Sequence, residues 1–592
     1  MDISTKFIPS PMIKNFIQLS VITICLVCTA GKVVAQQPSG NSGVIFRAIQ
    51  DELNRSMSEL NHPDAGKPFF AGFYVTEGTY FQSDATLGAI LSSESRKIAA
   101  TSYRFMFGSY EMNDENFEET PSKEMVFPRN IADPIELDYA GIRRSLWNNV
   151  DHSFKSAGRN YAAKKAYFQK NPSLKPDFPD YIRQEPVILE LPDFKAVPTQ
   201  AQADSLVRML SYVFKDFENI STSSVSYSLV NCNNYLLNTE GTRIKIPFCF
   251  ASVEISATVK NSEGENMSES VSIISMDPIA LLHDQSLAGK VKSLALYLAD
   301  VAKAPKLEDE YSGPVLFTEN TSVPNIMETF FSGKDALIAN REEVKNTPAY
   351  RKTAAQNNNN AESKIGKLFM PAAFSVTVRP KLESYKGIKL FGFTPVDYEG
   401  TIPPDEVKLV ENGVLKDLLR NRVPSTKSAV ASNGHQRQTL TMSGIYSSLE
   451  PGIVFFSSSD AKTNAELKKQ LLAAARNKAL DFAILVKPAV PGVTNAPQAF
   501  YKVSVADGSE TLLRPLDVAS GGGKMVNHIA GCSNQELVVN AMGSGMMGGM
   551  AGGSVFGTPT SVILPDAVLF NDMIASPVDT NVDKSFLPQE AE

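Results

Sequence analysis

The sequence predicts an α+β protein, with a helix-and-sheet first half followed by a β-rich second half. Three observations predict it. Apolar residues recur at helical spacing over residues 44–60, 138–171 and 286–304. Short β-branched and aromatic runs divided by turn dipeptides such as Asn412-Gly413 and Asp507-Gly508 dominate the second half. The composition, 43% hydrophobic and 20% charged over 592 residues, supplies enough apolar material for a sizeable core and excludes global disorder. With 36 Gly, 35 Pro and five Cys, collagen-like and disulfide-scaffold architectures are excluded too. The net charge is −7, and an acidic chain gains nothing from counterion release at phosphates, so nucleic acid is not the expected partner.

Taken in order, the chain opens with Lys6 and Lys14 before an apolar run at residues 16–28, then small residues ending at Ala35. That is the order of a secretory signal peptide over residues 1–35, and the run is short for a membrane span. Cys25 and Cys28 follow Ile24 and Val27, where a lipidation signal wants small residues. The mature protein is therefore expected to be exported, periplasmic or extracellular, without an integral span. A helix over 44–60 leads to strands at 69–76 and 102–107, with a turn expected at Glu77-Gly78. The helix at 138–171 holds the only Trp, Trp147, and a Pro-rich stretch follows. Thr199-Gln-Ala-Gln202 is a capping box opening a helix through residue 214. After further strands and the helix at 286–304, the charged segment 305–311 marks the expected boundary between domains at 44–305 and 311–577, with a tail at 578–592. In the second domain Asn357–Asn360 form a polar loop, and Thr463-Asn-Ala-Glu466 caps a helix through residue 480.

Three cysteines remain after the signal. Residues 225–230 and 243–248 read as the strands of a hairpin, and Cys232 and Cys249 lie equally far from its midpoint. A symmetric register would oppose them closely enough for a disulfide; a one-residue shift would separate them and leave two buried thiols.

Chemistry is sparse. None of the five histidines pairs with another three or four residues away, so a local two-histidine zinc motif is absent from the sequence. His528 and Cys532 are four apart and, with His435, form the only zinc alternative worth testing. Gly521-Gly-Gly-Lys524 lacks the earlier glycine of a phosphate loop and has Met525 where Ser or Thr belongs. The stretch from Met542 to Gly553 mixes four methionines with glycines and reads as a flexible loop, with copper(I) or an apolar peptide as the chemical alternative.

Several segments, in order, carry a resemblance. They are Asp51-Glu-Leu-Asn-Arg-Ser56, Leu237-Asn-Thr-Glu-Gly-Thr242, Tyr311-Ser-Gly-Pro-Val-Leu-Phe317, Asp397-Tyr-Glu-Gly400, Val410-Glu-Asn-Gly-Val-Leu415, Ser432-Asn-Gly-His435 and Ser561-Val-Ile-Leu-Pro-Asp-Ala-Val-Leu-Phe570. With them the chain resembles the TldD/PmbA family, also called modulator of DNA gyrase, and most closely its exported branch. The resemblance implies zinc metallopeptidases or inactive relatives that pair with them. Active members carry His-Glu-x-x-x-His on a helix after the Gly-Pro-Val segment, and the glutamate serves a zinc-bound water. Here that helix reads Asn325-Ile-Met-Glu-Thr-Phe-Phe-Ser-Gly333, so Met327 and Ser332 replace both histidines and only Glu328 survives. Five residues turn about 500°, roughly 140° off one helical face, so even two histidines would converge only on a distorted helix. The implied reading is a non-catalytic subunit without a cofactor that binds peptide or an unfolded segment, or completes a catalytic homologue or a self-dimer. Glu399, His435 and Arg437 are the candidate residues lining its peptide cleft. The alternative is an active zinc peptidase using His435, His528 and Cys532.

Overall fold

The structure, a computed structural model, describes residues 40–118, 138–194, 196–332, 336–339, 341, 344–345, 361–425, 430–441, 444–493, 496–520, 525–543 and 557–578. The signal segment, the Asn357–Asn360 tract, the Gly521–Lys524 loop, the methionine-glycine stretch after Gly543 and the tail after Val578 lie outside the described residues.

Long alternating strands build the first half. β1 (Pro68–Thr86) and β2 (Ala89–Phe107) form one hairpin; β3 (Ile188–Glu190) is short; β4 (Ile220–Asn238) and β5 (Arg243–Lys260) form another, followed by β6 (Asn266–Ser275). The sheet order is β2–β1–β4–β5–β3, and β6 also pairs with β5. Side chains of a strand alternate faces, and this sheet uses the alternation almost without exception. Odd-numbered residues such as Phe73, Phe81, Tyr227, Tyr235, Val253 and Ile255 lie under helices. Even-numbered residues face the other way: Tyr80, Val230, Cys232 and Phe250 pack with Phe391 and Met542 of the second half, and Leu236 and Ile244 with Val396. The helices sit in pairs along the odd face. α1 (Gly40–Glu59) and α2 (Tyr139–Lys170) cover one end, α3 (Gln200–Tyr212) and α4 (Leu287–Val301) the other. Asp138 caps α2, and the Thr199–Gln202 capping box opens α3 as its sequence requires.

Parity also decides the cysteines. The β4–β5 register pairs Cys232 with Phe248 and Asn231 with Cys249, one residue away from the symmetric pairing. Cys232 therefore points toward the second half and Cys249 under the helices, and both thiols are free and buried. The candidate Cys232–Cys249 bridge therefore does not form and the alternative of two buried thiols holds, because a one-residue shift moves a side chain to the opposite face. The expected turn at Glu77-Gly78 is corrected as well: Gly78 lies inside β1, and the chain turns at Leu87-Gly88. Gly78 is there for close approach, since a Cβ would stand 2.3 Å from Asn231 O and 2.5 Å from the Cys232 Cβ.

Two sheets face each other in the second half. β7 (Tyr311–Thr318) is central in the first, whose other strands are β14 (Phe482–Pro488), β15 (Gln498–Ser504), β16 (Glu510–Leu512), β17 (Leu516–Ser520), β18 (Ile529–Cys532) and β21 (Ala567–Pro577). The second comprises β8 (Phe374–Val378), β9 (Val407–Glu411), β10 (Val414–Leu415), β13 (Ile453–Ser458), β19 (Glu536–Gly543) and β20 (Thr558–Pro565). A separate hairpin, β11 (Gln436–Thr441) and β12 (Gly444–Leu449), lies between β10 and β13 in sequence. Between the sheets, Val315, Phe317, Val486 and Phe570 meet Val376, Phe456, Val562 and Leu564, and α5 (Val323–Phe331) adds Ile326 and Phe330. α6 (Asn464–Asn477), opened by the Thr463–Glu466 capping box, covers the outer face through Leu467 and Leu471. Asn412 and Gly413 both take positive φ in the β9–β10 turn, as a two-residue hairpin of that sequence requires. The fold class is α+β with a β-rich second half, as the sequence predicts.

Candidate functional site

α5 is where the resemblance puts a metal, and its residues do not fit one. Ile326 and Phe330 are fully buried in the core, and Met327 and Phe331 pack against the same cluster. Glu328 faces solvent. The helix ends at Phe331, so Ser332 is already extended (φ −126°, ψ 161°), its N–H closing the last turn on Glu328 O. A thioether turned to the core and a hydroxyl beyond the helix end are poor substitutes for two converging imidazoles.

The polar chemistry lies elsewhere, where the two halves meet. Two turns with the same pattern face each other there: Asn238-Thr-Glu-Gly-Thr242 joins β4 to β5, and Asp397-Tyr-Glu-Gly-Thr401 belongs to the second half. In the first, Asn238 Oδ1 accepts the N–H groups of Glu240 (3.0 Å) and Thr242 (3.1 Å). In the second, Asp397 Oδ1 accepts those of Glu399 (2.9 Å) and Thr401 (2.8 Å). Gly241 (φ +96°) and Gly400 (φ +84°) supply the left-handed step in each. The two turns are adjacent, since a Cβ on Gly400 would meet Thr242 at 3.0 Å.

Both glutamates hold Arg422, which is fully buried. Arg422 Nη2 pairs with Glu240 Oε1 at 2.5 Å, its backbone N–H donates to Glu399 Oε2 at 2.8 Å, and its Nε donates to Ile182 O at 2.9 Å. Glu399 Oε1 reaches across to Arg104 of β2 at 2.6 Å, and Arg104 also pairs with Glu115 at 2.7 Å. The guanidiniums of Arg422 and Arg104 lie 4.2 Å and 4.7 Å from the centre of the Tyr181 ring. Burial, with the Glu399 charge beside it, pushes the Asp397 carboxyl up to about 7.

His435 and Arg437 flank this seam at the start of β11. Asn433 Oδ1 accepts Arg420 N–H while its Nδ2 donates to Leu418 O, which fixes the amide orientation. The 2.9 Å contact with His435 Nδ1 then requires Nδ1 to donate, leaving Nε2 as an acceptor. Burial and, after it, the nearby Arg437 push the His435 imidazole down to about 3, so it is neutral. Burial lowers Arg437 to about 10. His435 Nε2 and Arg437 Nε and Nη2 are buried without a hydrogen-bond partner among the described residues.

Glu399, His435 and Arg437 are the sequence's candidates for lining a peptide cleft, with a polar surface loop over 432–437 as the alternative. The structure instead places all three in the buried seam, with His435 at 0% exposure. The reason is tertiary: the second half closes over the even-numbered face of the first sheet. Nor are the three members of the zinc alternative brought together. His435 is buried against Asn433, His528 sits on a short turn 4.0 Å from Asp572, and Cys532 is packed in the core between the two β-sheets. Among the described residues no group of three or more His, Cys, Asp or Glu could hold a metal ion. Arg104, Glu240 and Arg422 were not foreseen as functional residues. A signal for the glutamates existed, because the pattern Asn/Asp-x-Glu-Gly-Thr occurs in both halves.

Comparison with known proteins agrees with this architecture. Residues 346–477 match the model of the PmbA/TldA metallopeptidase C-terminal domain. A candidate modulator of a DNA gyrase from Thermotoga maritima superposes with a TM-score of 0.51 at 13% identity, over 86% of this chain and 96% of that one. TldE from Thermococcus kodakarensis superposes with a TM-score of 0.51 at 10% identity, over 89% and 100% of the chains. A candidate modulator of DNA gyrase from Bacteroides thetaiotaomicron superposes with a TM-score of 0.51 at 13% identity, over 91% and 99%. Comparison with curated proteins gives no match. Residues 346–477 thus match the family's C-terminal domain, and the chain shares the fold of these neighbours along its described length.

Proposed function

We propose that this chain is a non-catalytic, exported PmbA/TldD-family subunit that binds an extended peptide or completes the chamber of a catalytic homologue. One observation carries the reading: the helix that would bear the zinc-binding imidazoles offers Met327, packed on the core, and Ser332, beyond the helix end. Among the described residues, exposed Glu328 has no neighbouring donor set through which to act on a metal-bound water. The name TldE of one structural neighbour, and the TldD/TldE pairing that the family resemblance implies, support the partner role. The β-rich half supports peptide binding, because an extended peptide can add to a sheet edge. Export rests on the order of charges and apolar residues before Ala35.

The test is binding without turnover. A fluorescently labelled unfolded peptide mixed with the purified full chain is expected to gain anisotropy, or to do so once a family member with an intact zinc motif is added, and to remain uncleaved by this chain alone. Cleavage by the isolated chain, stopped by a chelator, would overturn the proposal.

A further inference from the structure

A cavity of about 350 Å³ lies where β6 and the end of α4 meet β17 and the end of β21. Its walls include Met267, Val301, Leu307 and Leu516, and Glu269 reaches into it. Glu269 breaks the alternation of its strand. Met267 and Val271 on either side point into the apolar layer under the helices, and Glu269 shares their face. Across the strand pair it meets Ala257, whose small side chain leaves room. Glu269 is half-buried there, so its carboxylate loses part of its hydration, which a cationic partner would replace.

Glu269 has no hydrogen bond or ion pair among the described residues. The other charged and titratable groups at the cavity do not supply one. Arg514 is spent on Glu263 at 2.9 Å and Glu265 at 2.7 Å, with its Nε on Ala304 O. Tyr297 of α4 donates its hydroxyl to Gln498 O, and Lys306 stands exposed in the connecting segment. Burial alone pushes the Glu269 carboxyl up to about 7.

We propose that this cavity binds a small organic ammonium, its cationic nitrogen on the Glu269 carboxylate and its carbon chain against Met267, Val301, Leu307 and Leu516. An anion would meet a like charge, and a neutral apolar ligand would leave the carboxylate unpaired. The other carboxylate at the cavity, Glu265, is engaged by Arg514 and Asn261, which leaves too few oxygens for a divalent cation. The volume is at the small end of ligand pockets, matching an alkylamine or one lysine side chain. The proposal is independent of the peptide-binding reading, since the cavity uses neither the seam nor α5.

Isothermal titration of the full chain in amine-free buffer tests it, with n-hexylamine as the free-amine probe and a blocked tripeptide centred on lysine as the peptide probe. Binding of either one supports the proposal and identifies the source of the ammonium. Glu269→Gln should weaken it about tenfold or more, the scale of a lost charge-assisted hydrogen bond, and hexan-1-ol should bind at least about tenfold more weakly than hexylamine. Glu263→Gln, which leaves the cavity carboxylate in place, should bind as the parent does. The bound form needs an ionised carboxylate and a protonated amine. Affinity should therefore rise about tenfold per pH unit between about pH 5 and 7, then level off until the amine loses its proton near about pH 10. Failure of both probes to bind overturns the proposal. So does hexylamine binding that is unchanged in Glu269→Gln or flat across that pH range.

Discussion

The seam between the halves and the helix α5 deal with charge in opposite ways. At the seam four charged side chains, Arg104, Glu240, Glu399 and Arg422, meet around one tyrosine ring and add ion pairs between the halves to the apolar contacts there. In α5, Ile326 and Phe330 are swallowed by the core and the one surviving acid points to water. A buried charge is tolerable only when paired and hydrogen-bonded. The seam meets that condition through two copies of one turn. On α5 the helix retains its packing role without the paired donors that a metal would demand.

That comparison can be broken by substitution. Phe330→Ala should cost about 3–5 kcal/mol of stability by opening a cavity between the sheets, read as a fall in the denaturant midpoint. Arg422→Ala should cost a similar or slightly smaller amount, about 3–5 kcal/mol, because it leaves Glu240 and part of Glu399 buried without their cation. If Arg422→Ala were as mild as a surface change, the seam would not be the fastening inferred here.

A pH series sharpens it further. Asp397 rises to about 7 in the fold against about 4 in an unfolded chain, so over that window only the folded form holds the proton. Its contribution to stability therefore grows as pH falls from 7 toward 4 and is lost as pH rises through 7. His435 acts in reverse. With a folded value of about 3, it refuses a proton that the unfolded chain takes up near 6.5, and stability is lost as pH falls through 6.5 toward 3. Denaturation midpoints across this range should show a smaller acid-side loss in His435→Gln than in the parent, and no acid-side gain from position 397 in Asp397→Asn. Parallel curves for all three would contradict both assignments. The smallest effect is expected at Glu328→Gln: a change within about 0.5 kcal/mol and none in peptide binding, because the side chain faces solvent.

Elements whose signal is local were legible in the sequence. The capping boxes at Thr199 and Thr463 and the Asn412-Gly413 hairpin appear where their residues require. Features set by distant partners were not. Gly78 reads as a turn residue until the strand carrying Cys232 is seen pressed against it. Midpoint symmetry cannot reveal a register one residue off, and that single residue puts Cys232 and Cys249 on opposite faces. The polar string Ser432–Arg437 looks like a surface loop or cleft lining. Only the docking of the two halves buries His435 and Arg437, and no periodicity within six residues encodes it. The reading of Met327 and Ser332 in place of two histidines rests on the resemblance, and the structure adds the packing of Met327 on the core and the helix end before Ser332.

Metal content tests that reading most directly. The full chain, purified in the presence of zinc and dialysed, should hold no tightly bound ion by elemental analysis, and its peptide-cleaving rate should match buffer with or without chelator. One zinc per chain, lost together with peptidase activity on chelation, would contradict the account.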